Sequence, residues 1–393
     1  MAAFGLLSDY LAQGRYRDRR HRIYIASVLH FGSWLSSCGL PLESIDEDCI
    51  GEFLSEHQSV CTCKHRMPSN VITLRPALSI LLRVLRAEGV VGQPVPSAID
   101  IEISAFETTL KDVWGLSLET CRHRCGTIRR LLIARIRADQ PIANFLTPSN
   151  LRAFVMGDEY RKPRTIRCHA SAVRCYLRYR ALLGDDVRLL LHAVPTPSFK
   201  PPMDLPEALS TSELEELLRI SSTLGRSRRR AHAIVRCLAD LGMRSLEVVR
   251  LTLDDIDWEN GLVRVPASKS RRRDFMPLPS VTGEALADYI VHERPPSVRR
   301  EVFVRHLAPI GEPVGRRVVQ RTLHTAYRRL GWERTRVHIL RHTIASNLVN
   351  DAVPLKQVAD VMRHRSVVTT AGYARVDSTR LSAVALPWPG ESA

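Results

Sequence analysis

Lysine is almost missing from this chain of 393 residues, which holds six against 51 arginines. Positive charge is therefore carried by guanidinium, which does not give up its proton in a protein, so a lysine inside a chemical motif stands out. Also missing is any run of about 18 apolar residues, which excludes an ordinary membrane-spanning helix. The N-terminus has no apolar stretch of the kind that directs secretion, so the expectation is a soluble, cytoplasmic protein with no membrane partner. The nine cysteines are scattered and, in a reducing compartment, need no disulfides. Cys61, Cys63 and His65, with His57 upstream, form the one metal-like cluster, but Cys-x-Cys spacing is unusual for structural zinc and no second cysteine pair comes after it. Surface-loop thiols, and no bound metal, are the expectation there. Acidic residues are outnumbered, 41 against 57, for a formal net charge of +16. The surplus is shared: residues 207–393 hold 30 basic and 21 acidic side chains, and residues 1–206 hold 27 and 20. Both parts are thus candidates to meet a polyanion.

Proline and glycine divide the chain. Ala193 to Pro202 contains four prolines, which exclude a helix and predict a stiff linker over 191–206. Everything before it reads helical. Apolar residues fall on one face of Arg22 to Leu35, with Gly39 and Pro41 as a stop, and further helices are predicted around Asp46–His57 and Leu74–Glu88. The pattern then recurs loosely: 119–136, a Thr147-capped helix through Phe154, and His169–Leu183 ending at Gly184. That recurrence gives two helical units, 1–95 and 100–190, and a common origin for them is left open.

From residue 207 the texture changes. Thr211-Ser212-Glu213 is a capped helix start, and Arg228–Leu241 is a second helix broken by Gly242. Short segments at 255–258, 262–265 and 275–278, separated by Glu259-Asn260-Gly261 and a basic turn through Arg273, read as antiparallel strands. Helices resume from Val318. The fold class is mainly α with a small antiparallel β-sheet in the C-terminal domain, 207–393. The tail after Tyr373 has a further helical pattern over 376–386.

Six residues of this domain can together break a phosphodiester without metal. Arg244 and Arg341 can clamp non-bridging oxygens, His338 and His364 can hydrogen-bond or relay protons, Lys269 can protonate a leaving oxygen, and Tyr373 can attack phosphorus. Each has a plainer reading. Arg244 can simply pair with Glu247 one turn on, and an isolated His-x-x-Arg such as His338–Arg341 is weak, although the two share a helical face. Lys269 is more telling. It and Lys356 are the two lysines after residue 207, and Lys269 lies beside Arg271, Arg272 and Arg273, where a demand for charge alone would be met by another arginine.

The order Arg, Lys, His-x-x-Arg, His, Tyr, with Tyr373 nine residues after His364, resembles the tyrosine recombinase (phage integrase) family over roughly 207–380. The resemblance implies helical DNA-binding units before a catalytic domain, and site-specific DNA recombination through a 3′-phosphotyrosine, with no cofactor or metal. It implies that Arg244, oriented by Glu247, and Arg341 hold the phosphate, His338 and His364 assist, Lys269 protonates the 5′-oxygen and Tyr373 attacks, while Arg271 to Arg273 meet the backbone. The implied partners are double-stranded DNA and three further copies of the chain, with room for accessory recombinases or DNA-bending proteins. One departure is visible: the family usually carries Gly directly before the histidine, where this chain has Arg363. A type IB topoisomerase using the same chemistry and a silent DNA-binding regulator are the competing readings.

Overall fold

The computed structural model describes residues 2–57, 60–61, 71–133, 146–157, 161–195, 207–266, 274–364 and 370. Two compact units result: residues 1–91 with 204–393, and residues 92–203. Among the described residues no helix is long and apolar enough to cross a membrane.

The N-terminal segment forms α1 (Ala2–Gln13), α2 (Asp18–Ser37), α3 (Glu47–Glu52) and α4 (Val71–Ala87). The predicted stops hold for a backbone reason: Gly39 and Gly89 both take positive φ, 65° and 70°, which costs glycine nothing. Asp46 caps α3 by accepting from the Cys49 N–H at 2.8 Å, and Phe53–His57 then widens into a π-turn. Phe31, Phe53, Leu74, Leu78 and Leu85 are fully buried in the core of this segment. Cys61 is 4% exposed and packs inside, against the expectation of a surface-loop thiol. Cys63 and His65 lie outside the described residues.

The second unit holds α5 (Ala98–Thr108), α6 (Leu118–Ile133), α7 (Pro148–Met156), α8 (Pro163–Leu182) and α9 (Arg188–Ala193). Helix α9 reaches into the first three residues of the expected linker, before its prolines; residues 196–206 lie outside the described ones. Ser97 and Asp100 form a reciprocal cap on α5, and Thr147 caps α7 as its sequence predicts. Around the fully buried Phe106 and Tyr176, the Glu102 carboxylate accepts from Tyr176 Oη (2.6 Å) and Arg180 Nη1 (3.1 Å), satisfying groups that burial would otherwise penalise.

The C-terminal segment begins with α10 (Thr211–Ser221), whose cap is Ser210 with Glu213, and continues through α11 (Arg228–Ala239) and α12 (Ser245–Arg250). The antiparallel sheet, in the order β1 (Ile256–Asp257), β2 (Leu262–Val265), β3 (Asp274–Pro277), pairs Val263 with Ile256 on one side and Met276 on the other. Val263 and Val265 face the core by strand alternation. Next in the chain come α13 (Ser280–His292), α14 (Arg316–Arg329), α15 (Ile339–Asn350) and α16 (Leu355–Val361). Helix α11 is the centre: Ala233, Ile234, Val235 and Cys237 are wholly buried among α10, α13, α14 and α15. A smaller cluster of Ala345, Val349, Val358 and Met362 ties α16 to α15 and so fixes Arg363 and His364 relative to Arg341.

Candidate active site

Arg244 is placed by the break after α11. Gly242 adopts φ 56°, and a Cβ on it would stand 3.1 Å from Met362 Cε and 3.3 Å from Ile344 Cδ1, so both conformation and space call for glycine. The chain can then turn into α12 with Arg244 at its head. Glu247, one turn later, accepts from the Arg244 backbone N–H at 2.8 Å and from its Nη1 at 2.6 Å. Burial pushes the Glu247 carboxyl up, but the Arg363 charge and the Arg244 hydrogen bonds outweigh it and hold the group below the ordinary carboxylate range. The plain Arg–Glu pair therefore exists, and it leaves the Arg244 side chain 31% exposed.

Arg341 lies in the first turn of α15 and is buried, with Nη1 donating to the Gly242 carbonyl. His338 does not share that burial. It is the exposed residue at the N-terminal edge of α15, and its carbonyl accepts from the His342 N–H at 2.9 Å. His342 is half-buried, and burial together with the charges of His338 and Arg341 lowers its pKa, which fits packing behind the site.

The family's glycine position is where the structure is most informative. Helix α16 ends in a Schellman motif: the Arg363 N–H donates to the Asp360 carbonyl and the His364 N–H to the Ala359 carbonyl, both at 2.9 Å. The motif puts the residue before the histidine in the left-handed region, and Arg363 sits there at φ 51°. A left-handed backbone is thus adopted here without glycine. Arg363 Nη2 donates to Glu247 Oε2 at 3.0 Å and to the Gly242 carbonyl at 3.3 Å, with its side chain 7% exposed. The Arg363 carbonyl in turn accepts from Arg244 Nη2 at 3.3 Å. The sequence marks Arg363 as a departure but does not disclose this role, because its partner is 116 residues away.

His364 Nδ1 lies 2.8 Å from Thr370 Oγ1, and Thr370 is fully buried. Burial first, then the charges of Arg341, Arg244, His342 and Arg363, lower the His364 pKa to about 4. Arg244, Arg341 and His364 thus converge on one side of the domain. Lys269, Arg271, Arg272, Arg273 and Tyr373, with the tail segment expected to be helical, fall outside the described residues. The site combines a half-exposed guanidinium, a buried guanidinium and a neutral imidazole, a donor set suited to an oxyanion such as a phosphate.

Residues 207–380 match the phage integrase family. The chain is similar over its length to a protein of Sinorhizobium fredii (strain NBRC 101917 / NGR234) named as an integrase/recombinase, y4rA, with 32% identity covering 98% of this chain and 93% of that one. Tyrosine recombinase XerC of Corynebacterium glutamicum is 27% identical over 75% of this chain and 93% of its own. Of solved structures, XerH site-specific recombinase bound to a palindromic difH substrate shares the fold, with a TM-score of 0.57 at 18% identity, over 86% of this chain and 95% of that one. The Tn1549 transposon integrase in complex with transposon right end DNA gives 0.52 at 17%, over 72% and 99%. Near full-length similarity to y4rA, the family match over the catalytic segment and the convergence of its arginines and histidine lead to one conclusion: the chain belongs to the phage integrase family, the tyrosine-type site-specific DNA recombinases.

Proposed function

We propose that this recombinase cleaves double-stranded DNA at the site built by Arg244, Arg341 and His364, with His338 at its rim, and that Lys269 and Tyr373 complete it. The observation that carries the reading is the meeting of Arg244, Arg341 and His364 from three separate segments, linked through the Gly242 and Arg363 carbonyls. Arg244 and Arg341 neutralise the non-bridging oxygens of the scissile phosphate. His364 is neutral at pH 7, and in the tautomer whose Nδ1 accepts from the Thr370 hydroxyl it keeps its proton on Nε2 and donates one hydrogen bond to the phosphate. The Tyr373 oxygen attacks phosphorus and its proton passes toward His338. The 5′-oxygen leaves with a proton from Lys269, giving a 3′-phosphotyrosine and a free 5′-hydroxyl. Attack by the 5′-hydroxyl of another strand reverses these steps, so bond energy is conserved and rejoining needs no nucleotide cofactor.

Arg271 to Arg273 contact the DNA backbone in this reading. The helical units 1–95 and 100–190 contact the duplex in addition to the catalytic domain. Four copies act on two duplexes in the cytoplasm, each tail over 376–386 docking in a neighbour. Nicked suicide substrates carrying the DNA that flanks the gene test the chemistry. The expected result is a covalent protein–DNA adduct at one site that Tyr373→Phe abolishes while DNA affinity is kept. An undiminished adduct in Tyr373→Phe refutes the nucleophile, and adducts spread without site preference point to topoisomerase-like relaxation. Truncation after Asp377 tests the assembly: loss of higher-order complexes with single-site binding kept supports docking in trans, and complexes at wild-type levels refute it.

A further inference from the structure

Away from the DNA-cleaving site, three side chains capable of binding metal meet in the N-terminal segment. His30 comes from the middle of α2, His57 from the end of the π-turn after α3, and Cys61 from four residues further on. His30 Nε2 lies 3.0 Å from Cys61 Sγ, and ligand atoms of all three lie within 4.8 Å of one another. Tetrahedral zinc with one thiolate and two imidazoles needs separations of about 3.6 Å between sulfur and nitrogen and about 3.3 Å between nitrogens. The His30–Cys61 separation is about 0.6 Å shorter than the sulfur–nitrogen value and no ligand atom lies more than 4.8 Å from another, so side-chain rotations of a fraction of an ångström to about 1.5 Å would bring the donors into place. The site is also walled: His30 is 1% and Cys61 4% exposed, His30 meets the Phe53 ring edge-on at 5.2 Å, and His57 stacks on Phe53 at 5.4 Å. A second feature points the same way. The π-turn Phe53–His57 adds a residue to the helical turn, a local departure that is concentrated at functional positions and that here swings His57 toward His30.

We propose that His30, His57 and Cys61 supply three of the four ligands of a structural site for a divalent transition metal, zinc by chemistry. One thiolate and two imidazoles with no carboxylate suit zinc and exclude calcium or magnesium. The metal ties α2 to the chain leaving α3, closing a loop from residue 30 to residue 61 around the Phe31 and Phe53 core. It takes no part in strand cleavage, and the proposal departs from the sequence expectation of no metal at the Cys61 cluster because of His30, which lies 31 residues upstream and carries no motif of its own.

The test is elemental analysis of the full-length chain, purified without a histidine tag from zinc-supplemented medium. The expected content is about one zinc per chain, falling at least about tenfold in Cys61→Ser and in His30→Ala but not in Cys49→Ser. Should the variants fail to fold, the wild type alone decides. Stripping with a strong chelator is expected to lower its melting temperature and added zinc to restore it, and cobalt in place of zinc is expected to give thiolate-to-metal charge-transfer absorption. Wild-type chain without zinc whose melting is unmoved by added zinc overturns the proposal. So does zinc retained in both Cys61→Ser and His30→Ala.

Discussion

Arg363→Gly installs the residue the family usually carries, and the structure predicts that this does not stabilise the protein. Two opposed effects are involved. Arg363 at φ 51° carries left-handed strain of about 1–2 kcal/mol, which glycine removes. Arg363 also pairs with Glu247, whose side chain is 2% exposed, and removing one partner of such a pair costs about 3–5 kcal/mol when the other charge is left alone. Glu247 keeps Arg244, so about half that loss, roughly 2 kcal/mol, is the reasonable figure. Arg363→Gly should therefore lie between neutral and about 1 kcal/mol less stable than wild type. Arg363→Ala loses the pair and keeps the strain, and should be about 1 kcal/mol less stable than Arg363→Gly. The assay is native-state hydrogen exchange of the Val248 amide, which donates to the Arg244 carbonyl at 3.0 Å and so reports opening of the site itself. Equal protection in the Gly and Ala variants refutes the strain. A Gly variant clearly more protected than wild type refutes the ion pair as a net stabilising contact.

Lys269→Arg keeps charge but loses the proton donor, and should slow cleavage of an ordinary 5′-oxygen substrate by at least about 100-fold; near-normal rates would reduce Lys269 to a phosphate contact. Gly242→Ala should cost about 1–2 kcal/mol and also slow cleavage, since it strains a left-handed residue and moves the carbonyl shared by Arg341 and Arg363; unchanged melting would show that the Met362 and Ile344 side chains yield freely. His364 should titrate near 4 in the free protein by NMR and move upward when DNA brings a phosphate against it; a free value at or above the ordinary 6.5 would refute the burial and charge argument. Because the unfolded chain takes up this proton first, the folded state loses stability as pH falls from 6.5 toward 4 and gains nothing from the group above 6.5.

Much of the molecule is legible in its residues because the signals are local. Caps at Asp46, Thr147 and Ser210 and positive-φ glycines at 39, 89, 184 and 242 set helix ends within a few residues of where the sequence alone puts them. The short strands around Gly261 are likewise readable from alternation and a turn. The order of Arg244, Lys269, His338, Arg341, His364 and Tyr373 is enough to name a family, since motif order survives without coordinates. Only the tertiary structure decided what Arg244, His338, Arg341 and His364 touch. No periodicity pairs Glu247 with Arg363 or brings His30 to Cys61, and none groups residues 1–91 with 204–393 as one compact unit. Such contacts join segments that local patterning treats independently, and they form because burial leaves a charge, a thiol or an imidazole to be satisfied by whatever the fold brings beside it.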